Sequence, residues 1–111
     1  MKTVKKVWGK EEWIVNREYC GKLLYLDKGA TSSLHRHLTK HETFYVLKGH
    51  VILMLDGYRY DLTPGKSLEI EPGDYHSFYG EKDSVIIEFS THHDDNDVER
   101  AEPSKAAGGD K

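Results

Sequence analysis

The chain reads as an all-β protein, a sandwich or closed barrel, and three features of the sequence carry that reading. Turn residues recur at short intervals, at Gly29, Gly49, Gly57, Gly65, Gly73 and Gly80, with Pro64 and Pro72 beside two of them. Between the turns lie short runs rich in β-branched and aromatic residues. None of these runs repeats its apolar residues at the three-and-four spacing of a helix.

In order, the runs are GKLLYLD, ETFYVLK, HVILMLD, YRYDL, KSLEIE and SVIIEFS, and each is expected to form a strand. Ahead of them, VWGKEEWIV places Trp8 and Trp13 in an N-terminal strand segment, expected to pack on the barrel or a partner subunit rather than touch a ligand. Asp56 and Gly57 separate two runs by a two-residue turn whose central positions both need positive φ, so 50–55 and 58–63 should pair antiparallel. Closing such a sheet also removes its exposed edges. After HHDDNDVER the apolar residues almost vanish, and little remains to offset the entropy of ordering. The domain is therefore drawn over 1–98, and 99–111 is expected to be a disordered tail. His92 and His93, adjacent and so pointing opposite ways on an extended chain, are read with Asp94 and Asp95 as a solvated polar terminus.

Composition narrows the function. The chain has 111 residues, room for one core, and a formal net charge of -3 from 16 basic and 19 acidic residues that are interspersed. That balance gives no broad basic face, so no nucleic-acid partner is expected. No stretch approaches the roughly 18 apolar residues of a membrane span, and the N-terminus lacks the apolar core of a signal peptide, so no membrane association and a cytoplasmic location are expected. The single cysteine, Cys20, admits no internal disulfide and no paired-cysteine metal motif, and reads as a small buried side chain.

The segment LHRHLTKHETF, 34–44, holds three of the seven histidines and a glutamate just before an apolar run. His35 and His37 are two apart and project from one face of an extended strand, so both imidazoles can reach one divalent ion. Glu42 is an odd number of positions further on, so a turn or bulge within 38–41 must reset the alternation before Glu42 opens the next strand facing inward. His76, in EPGDYHSFYG, is the fourth candidate, brought across the barrel from a non-adjacent strand. Three histidines and a carboxylate fill a six-coordinate ion only in part and leave positions for water or substrate. His41 is the alternative to Glu42 as a ligand, and His50 is read as an exposed or loosely packed residue without a role. Tyr75 and Phe78, flanking His76, are the best candidates for a pocket wall.

These residues carry a family resemblance. The pattern Gly29-x5-His35-x-His37-x4-Glu42-x6-Gly49 resembles the first cupin motif at every fixed position. The second motif is looser: Gly65 and His76 match, the Pro-x-Gly is shifted to Pro72 and Gly73, and the final asparagine is replaced by Gly80. The resemblance implies a single cupin barrel, the jelly-roll or double-stranded β-helix. In addition, HRHLTKHE reads as HxHxxKxE and resembles the metal-site segment of cupin sugar isomerases acting on lyxose or mannose. EEWIVNREYCGK and IIEFSTHHDDND resemble the flanks of small cupins related to phosphomannose isomerase.

Three function classes follow. The first is a metal-dependent aldose–ketose isomerase of a sugar or sugar phosphate, with one divalent ion (Mn, Zn, Fe, Co or Ni) on His35, His37, Glu42 and His76. Its acid/base group would be Glu88, with Lys40 binding a substrate oxygen. In SVIIEFS, Val85, Ile87 and Phe89 share one strand face and Ile86 shares the other with Glu88. If the second face lines the barrel, Glu88 lies beside the ion; if not, it is a solvated strand carboxylate. The other classes are an iron-dependent dioxygenase of a small molecule and a non-catalytic metal or small-molecule binding module. A homodimer is expected, because Trp8, Trp13, Ile14 and Val15 give so small a monomer more apolar surface than it readily exposes.

Overall fold

The computed structural model describes residues 2–108. Eleven strands follow in chain order: β1 (Lys2–Lys6), β2 (Gly9–Asn16), β3 (Tyr19–Leu26), β4 (Leu34–Arg36), β5 (Glu42–Lys48), β6 (Val51–Leu55), β7 (Tyr58–Leu62), β8 (Ser67–Ile70), β9 (His76–Gly80), β10 (Ser84–Thr91) and β11 (Glu99–Glu102). They form two antiparallel sheets packed face to face. The first has the order β1-β2-β3-β10-β5-β8 and the second β11-β4-β9-β6-β7. Among the described residues there is no helix, and hence none long and apolar enough to cross a membrane.

Alternation along each strand sets what faces inward. Cys20, Lys22, Leu24 and Leu26 of β3 are buried, as are Glu42, Phe44 and Val46 of β5 and Ile86 and Glu88 of β10. Val51 and Leu53 of β6 and Phe78 of β9 close the core from the second sheet. The apolar end of the interior is thus continuous with a charged end on the same strands. Trp8 belongs to this core, edge-on to Phe78 with ring centroids 5.1 Å apart.

The hairpin expected from Asp56 and Gly57 is present: β6 and β7 pair from Val51 with Leu62 to Leu55 with Tyr58, and φ is 49° at Asp56 and 82° at Gly57. The C-terminal segment departs from expectation. Within the segment expected to be a disordered tail, Glu99–Glu102 form β11 on the edge of β4, with Glu99 opposite Arg36 and Arg100 opposite His35, while 109–111 lie outside the described residues. The Arg36 Nε donates to Glu99 at 2.7 Å, and Thr31 and Lys105 exchange two backbone hydrogen bonds of 2.8 Å. Unpaired backbone groups on the edge of β4 hold this segment, and composition carries no sign of them.

Gly49, with φ of 89°, lies in the crossing between β5 and β6, where a Cβ would stand within 2.5 Å of the Asp83 carbonyl oxygen and closer still to the Ser84 hydroxyl. Gly57 also has positive φ, but nothing lies within 4 Å of its would-be Cβ. Gly57→Ala should therefore cost about 1–2 kcal/mol, the backbone penalty alone, whereas Gly49→Ala adds a backbone clash and should cost at least about 3 kcal/mol. Urea unfolding of the two variants checks this, and equal losses would contradict it.

Candidate metal centre and acid–base site

Three histidines converge from the second sheet. His35 of β4 and His76 of β9 are direct cross-strand partners, with ring centroids 4.4 Å apart, and His37 follows just beyond the end of β4. One ring nitrogen from each lies within 4.8 Å of the others. His76 is thus not brought across the barrel from a non-adjacent strand, as the sequence suggested. The jelly-roll order sets β9 beside β4, and Glu42, opening β5 in the facing sheet, is the group that crosses. Its Oε2 is 3.2 Å from His76 Nε2 and 3.8 Å from His37 Nε2.

Hydrogen bonds on the far side of each ring fix which nitrogen points inward. His35 Nδ1 lies 2.8 Å from the Ser33 carbonyl, His37 Nδ1 2.7 Å from the Asp97 carbonyl and His76 Nδ1 2.9 Å from the Asp74 carbonyl. A carbonyl only accepts, so each Nδ1 carries the proton and, in the neutral ring, each Nε2 keeps a lone pair. Burial, with the neighbouring His76 adding to it, pushes His35 down to about 3, and burial likewise lowers His37. Both are neutral near pH 7. Glu42 Oε2 and His76 Nε2 are buried without any hydrogen-bond partner, a costly state for polar atoms. Three inward lone pairs and an orphaned carboxylate oxygen fit a divalent cation held by His35, His37, Glu42 and His76.

Beside this cluster lies an ion triad. The Lys40 ammonium is 2.7 Å from Glu88 Oε2 and 3.2 Å from Glu42 Oε1, and all three side chains are buried. Burial opposes the charge on Lys40, but the two carboxylates outweigh it and hold the group well above the ordinary lysine range. Burial works against Glu42 too, and the cationic Lys40 beside it helps to hold it below the usual carboxylate range. Glu88 faces the interior, which settles the strand-face question left by its alternation, and accepts a further bond of 3.0 Å from the Ser90 hydroxyl.

Two contributors were not expected from the sequence. His93 is not part of a solvated terminus: its Nδ1 accepts from Lys40 Nζ at 2.9 Å, and its Nε2 then donates to Asp95 at 2.8 Å. Asp97 clamps the break between β4 and β5. Its carboxylate accepts from the backbone amides of Leu38, Thr39 and Lys40 and from the Thr39 hydroxyl, while its carbonyl orients His37. This is what resets the alternation between His37 and Glu42. A cavity of about 260 Å³ reaches these groups, with Trp8, Lys22 and Glu11 in its wall. Phe78 lines it as expected, but Tyr75 does not and instead stacks 5.0 Å from the Arg36 guanidinium. Trp8, expected away from any ligand, forms part of the wall. His50 bonds Asp61, and His41 bonds the exposed Glu69, away from the cluster. The signal for Lys22 lay in the sequence, since it shares its strand phase with Leu24 and Leu26.

The histidine environment has a pH consequence. Between the ordinary value of 6.5 and about 3, the unfolded chain protonates His35 and the folded chain does not, so stability is lost as pH falls through that window. Each pH unit of acidification should cost about 1.4 kcal/mol for such a group; the lowered His37 and Glu42 act in the same direction. The melting temperature of the metal-free protein should fall steadily from pH 7 to pH 4, and a flat profile would contradict the neutral buried assignment.

Comparisons with known proteins accord with this geometry. A D-lyxose/D-mannose isomerase from Thermosediminibacter oceani is 32% identical in a match covering 69% of this chain and 58% of that relative, so the chain spans little more than half its length. Among solved structures, KdgF from Halomonas sp. superposes with a TM-score of 0.73 at 21% identity, covering 78% of this chain and 81% of that one. An RmlC-like cupin from Shewanella frigidimarina gives a TM-score of 0.72 at 24% identity and 78% coverage of each chain. These two likenesses establish the fold. Residues 22–93, which include every histidine and carboxylate of the cluster and of the Lys40 triad, match the Cupin domain family, and the chain belongs to that family.

Proposed function

We propose that the chain is a metal-dependent aldose–ketose isomerase of a small sugar or sugar phosphate. The observation that carries this is the buried Glu88 carboxylate, held by Lys40 beside His35, His37 and Glu42 at the wall of one cavity, with His76 buried behind them. The likeness to a D-lyxose/D-mannose isomerase supports it. A divalent ion bound there supplies Lewis acidity toward the oxygens on C1 and C2 of an open-chain sugar. Glu88 removes the proton from C2 of the aldose and returns it at C1, while the O2 hydroxyl proton passes to O1, leaving a carbonyl at C2. Lys40 fixes the Glu88 carboxylate and offers positive charge to the oxygen on which charge develops. His93 and Ser90 hold Lys40 and Glu88 in place, and the apolar wall of Phe44 and Phe78 limits water. A dioxygenase has no evident use for the paired Lys40 and Glu88, and a simple binding module has no need of them.

Glu88→Gln should lower turnover by about 10²–10⁴, the range for loss of a general base, with metal content unchanged. Glu42→Gln should lower both. Rates on a panel of aldoses, ketoses and their phosphates with each of several divalent metals, alongside elemental analysis, provide the check. Deuterium from D₂O should also appear at C1 or C2 of the product. Parental turnover in Glu88→Gln, or oxygen uptake with iron in place of isomerisation, would overturn the assignment.

We also propose that the chain acts as a homodimer, though not through Trp8, which the structure buries in the core; of the N-terminal residues expected to drive it, Ile14 is exposed. Tyr45, Leu47, Ile87 and Phe89 lie on the outer face of the first sheet, and Phe89 is 55% exposed. An apolar sheet face of this kind is a natural site for self-association. Light scattering should give about twice the monomer mass of 12.8 kDa, and Phe89→Glu should return it to one.

A further inference from the structure

The cavity that serves the candidate site carries more positive charge than the site needs. Five cationic side chains line it, Lys5, Lys6, Lys22, Lys40 and Arg100, against the four carboxylates Glu11, Glu42, Glu88 and Asp95. This surplus stands in a chain whose formal net charge is -3. Lys40 is committed to Glu42 and Glu88, and Asp95 bonds His93. Glu11 is shared, its two oxygens 3.3 Å from Lys22 Nζ and 3.8 Å from Lys6 Nζ. Among the described residues, Arg100 and Lys5 have no carboxylate within 4.0 Å.

Position matters as much as number. Lys22 is 1% exposed, an expensive place for an ammonium with one carboxylate partner, and its Nζ stands 4.1 Å from the Trp13 ring. It is the direct cross-strand neighbour of Glu88. Arg100 is the cross-strand neighbour of His35 and shares its inward strand phase. Each cation is thus one strand, about 5 Å, from a reacting group of the candidate site. Lys6, on the edge strand β1 of the first sheet, and Arg100, on the edge strand β11 of the second, flank the same opening.

We propose that Lys22, Arg100 and Lys6 form an anion-binding station, and that the substrate carries a carboxylate or phosphate away from its reacting carbons. The proposal rests on the sugar-isomerase reading and narrows its substrate class. With the carbonyl end of an open-chain sugar at the histidine cluster and Glu88, the remote end reaches these cations, where an anionic group pairs with them. Charge attraction into a walled cavity raises both occupancy and rate of entry.

Trp8 lines the cavity and Trp13 contacts Lys22, so intrinsic tryptophan fluorescence reports occupancy. The zinc-loaded protein would be titrated with D-mannose, D-glucuronate and D-mannose 6-phosphate, and the metal-free protein with inorganic phosphate. At least one anionic sugar should bind about 10-fold or more tightly than mannose, a difference of about 1.4 kcal/mol. The advantage should shrink as salt is raised. Which of the two binds more tightly identifies carboxylate or phosphate as the group. In the Lys6→Gln/Arg100→Gln double variant, whose substitutions lie on edge strands, the affinity of the anionic sugars should fall to that of mannose on the same variant. Mannose binding as tightly as both anionic sugars, or an advantage that survives the double variant, overturns the station while leaving the isomerase reading intact. Phosphate binding that the double variant abolishes, with no sugar bound, upholds the station and defeats the sugar reading. Failure of all four ligands defeats both.

Discussion

An ammonium group between two carboxylates, sealed inside a β-barrel, is the constraint to which much of the surrounding structure answers. Lys40 is 2% exposed, and its partners Glu42 and Glu88 are as deeply buried. Removing such charges from water costs several kcal/mol for each ion, and removing one partner from a buried pair typically costs about 3–5 kcal/mol because the other is stranded. The triad is therefore stable only if loop, strands and neighbours keep all three groups in register. Asp97 holds the backbone leading into Lys40, β10 brings Glu88 to it, and His93 takes its remaining hydrogen. The triad keeps one negative charge in excess. That excess borders the three imidazoles, so the same arrangement that holds Lys40 in place favours a cation at the histidine cluster.

Local features were legible in the sequence. The Asp56 and Gly57 hairpin, the strands that became β3, β5 to β8 and β10, and the shared face of His35 and His37 all depend on neighbours along the chain. Glu42 facing inward after a break was legible for the same reason, since alternation over five residues requires one. The fold family was legible through the resemblance of Gly29, His35, His37, Glu42 and Gly49 to the first cupin motif, whose positions are tied to turns and strand phase.

What escaped depends on groups far apart in sequence. That His76 is the immediate neighbour of His35 is a property of sheet order, which no local pattern records. His93 and Asp97 stand in a hydrophilic stretch whose composition suggests solvent, and only the amides of the 38–40 loop show what Asp97 is for. Likewise three of the four residues of β11 are charged, and it has no apolar alternation to announce it. Lys22 is the intermediate case: its phase was visible, but a lysine flanked by Cys20 and Leu24 gives no hint that Glu11 lies across from it to receive its charge.

The position of β10 bears on how the molecule assembles. It lies between β3 and β5, so its residues pair with partners far earlier in the chain, with strands β4 to β9 made between it and β3 and β6 to β9 between it and β5. Until it inserts, the first sheet is two separate pieces, Lys22 and Lys40 lack the strand between them, and the apolar faces of β3 and β5 are open. Closing loops of that length before any contact rewards them is the slow step of non-local β topologies, which fold in roughly milliseconds to seconds. The segment carrying HRHLTKHE therefore acquires its geometry only when the barrel closes, and a peptide spanning it alone lacks Glu88, His76 and the carboxylate that holds its loop.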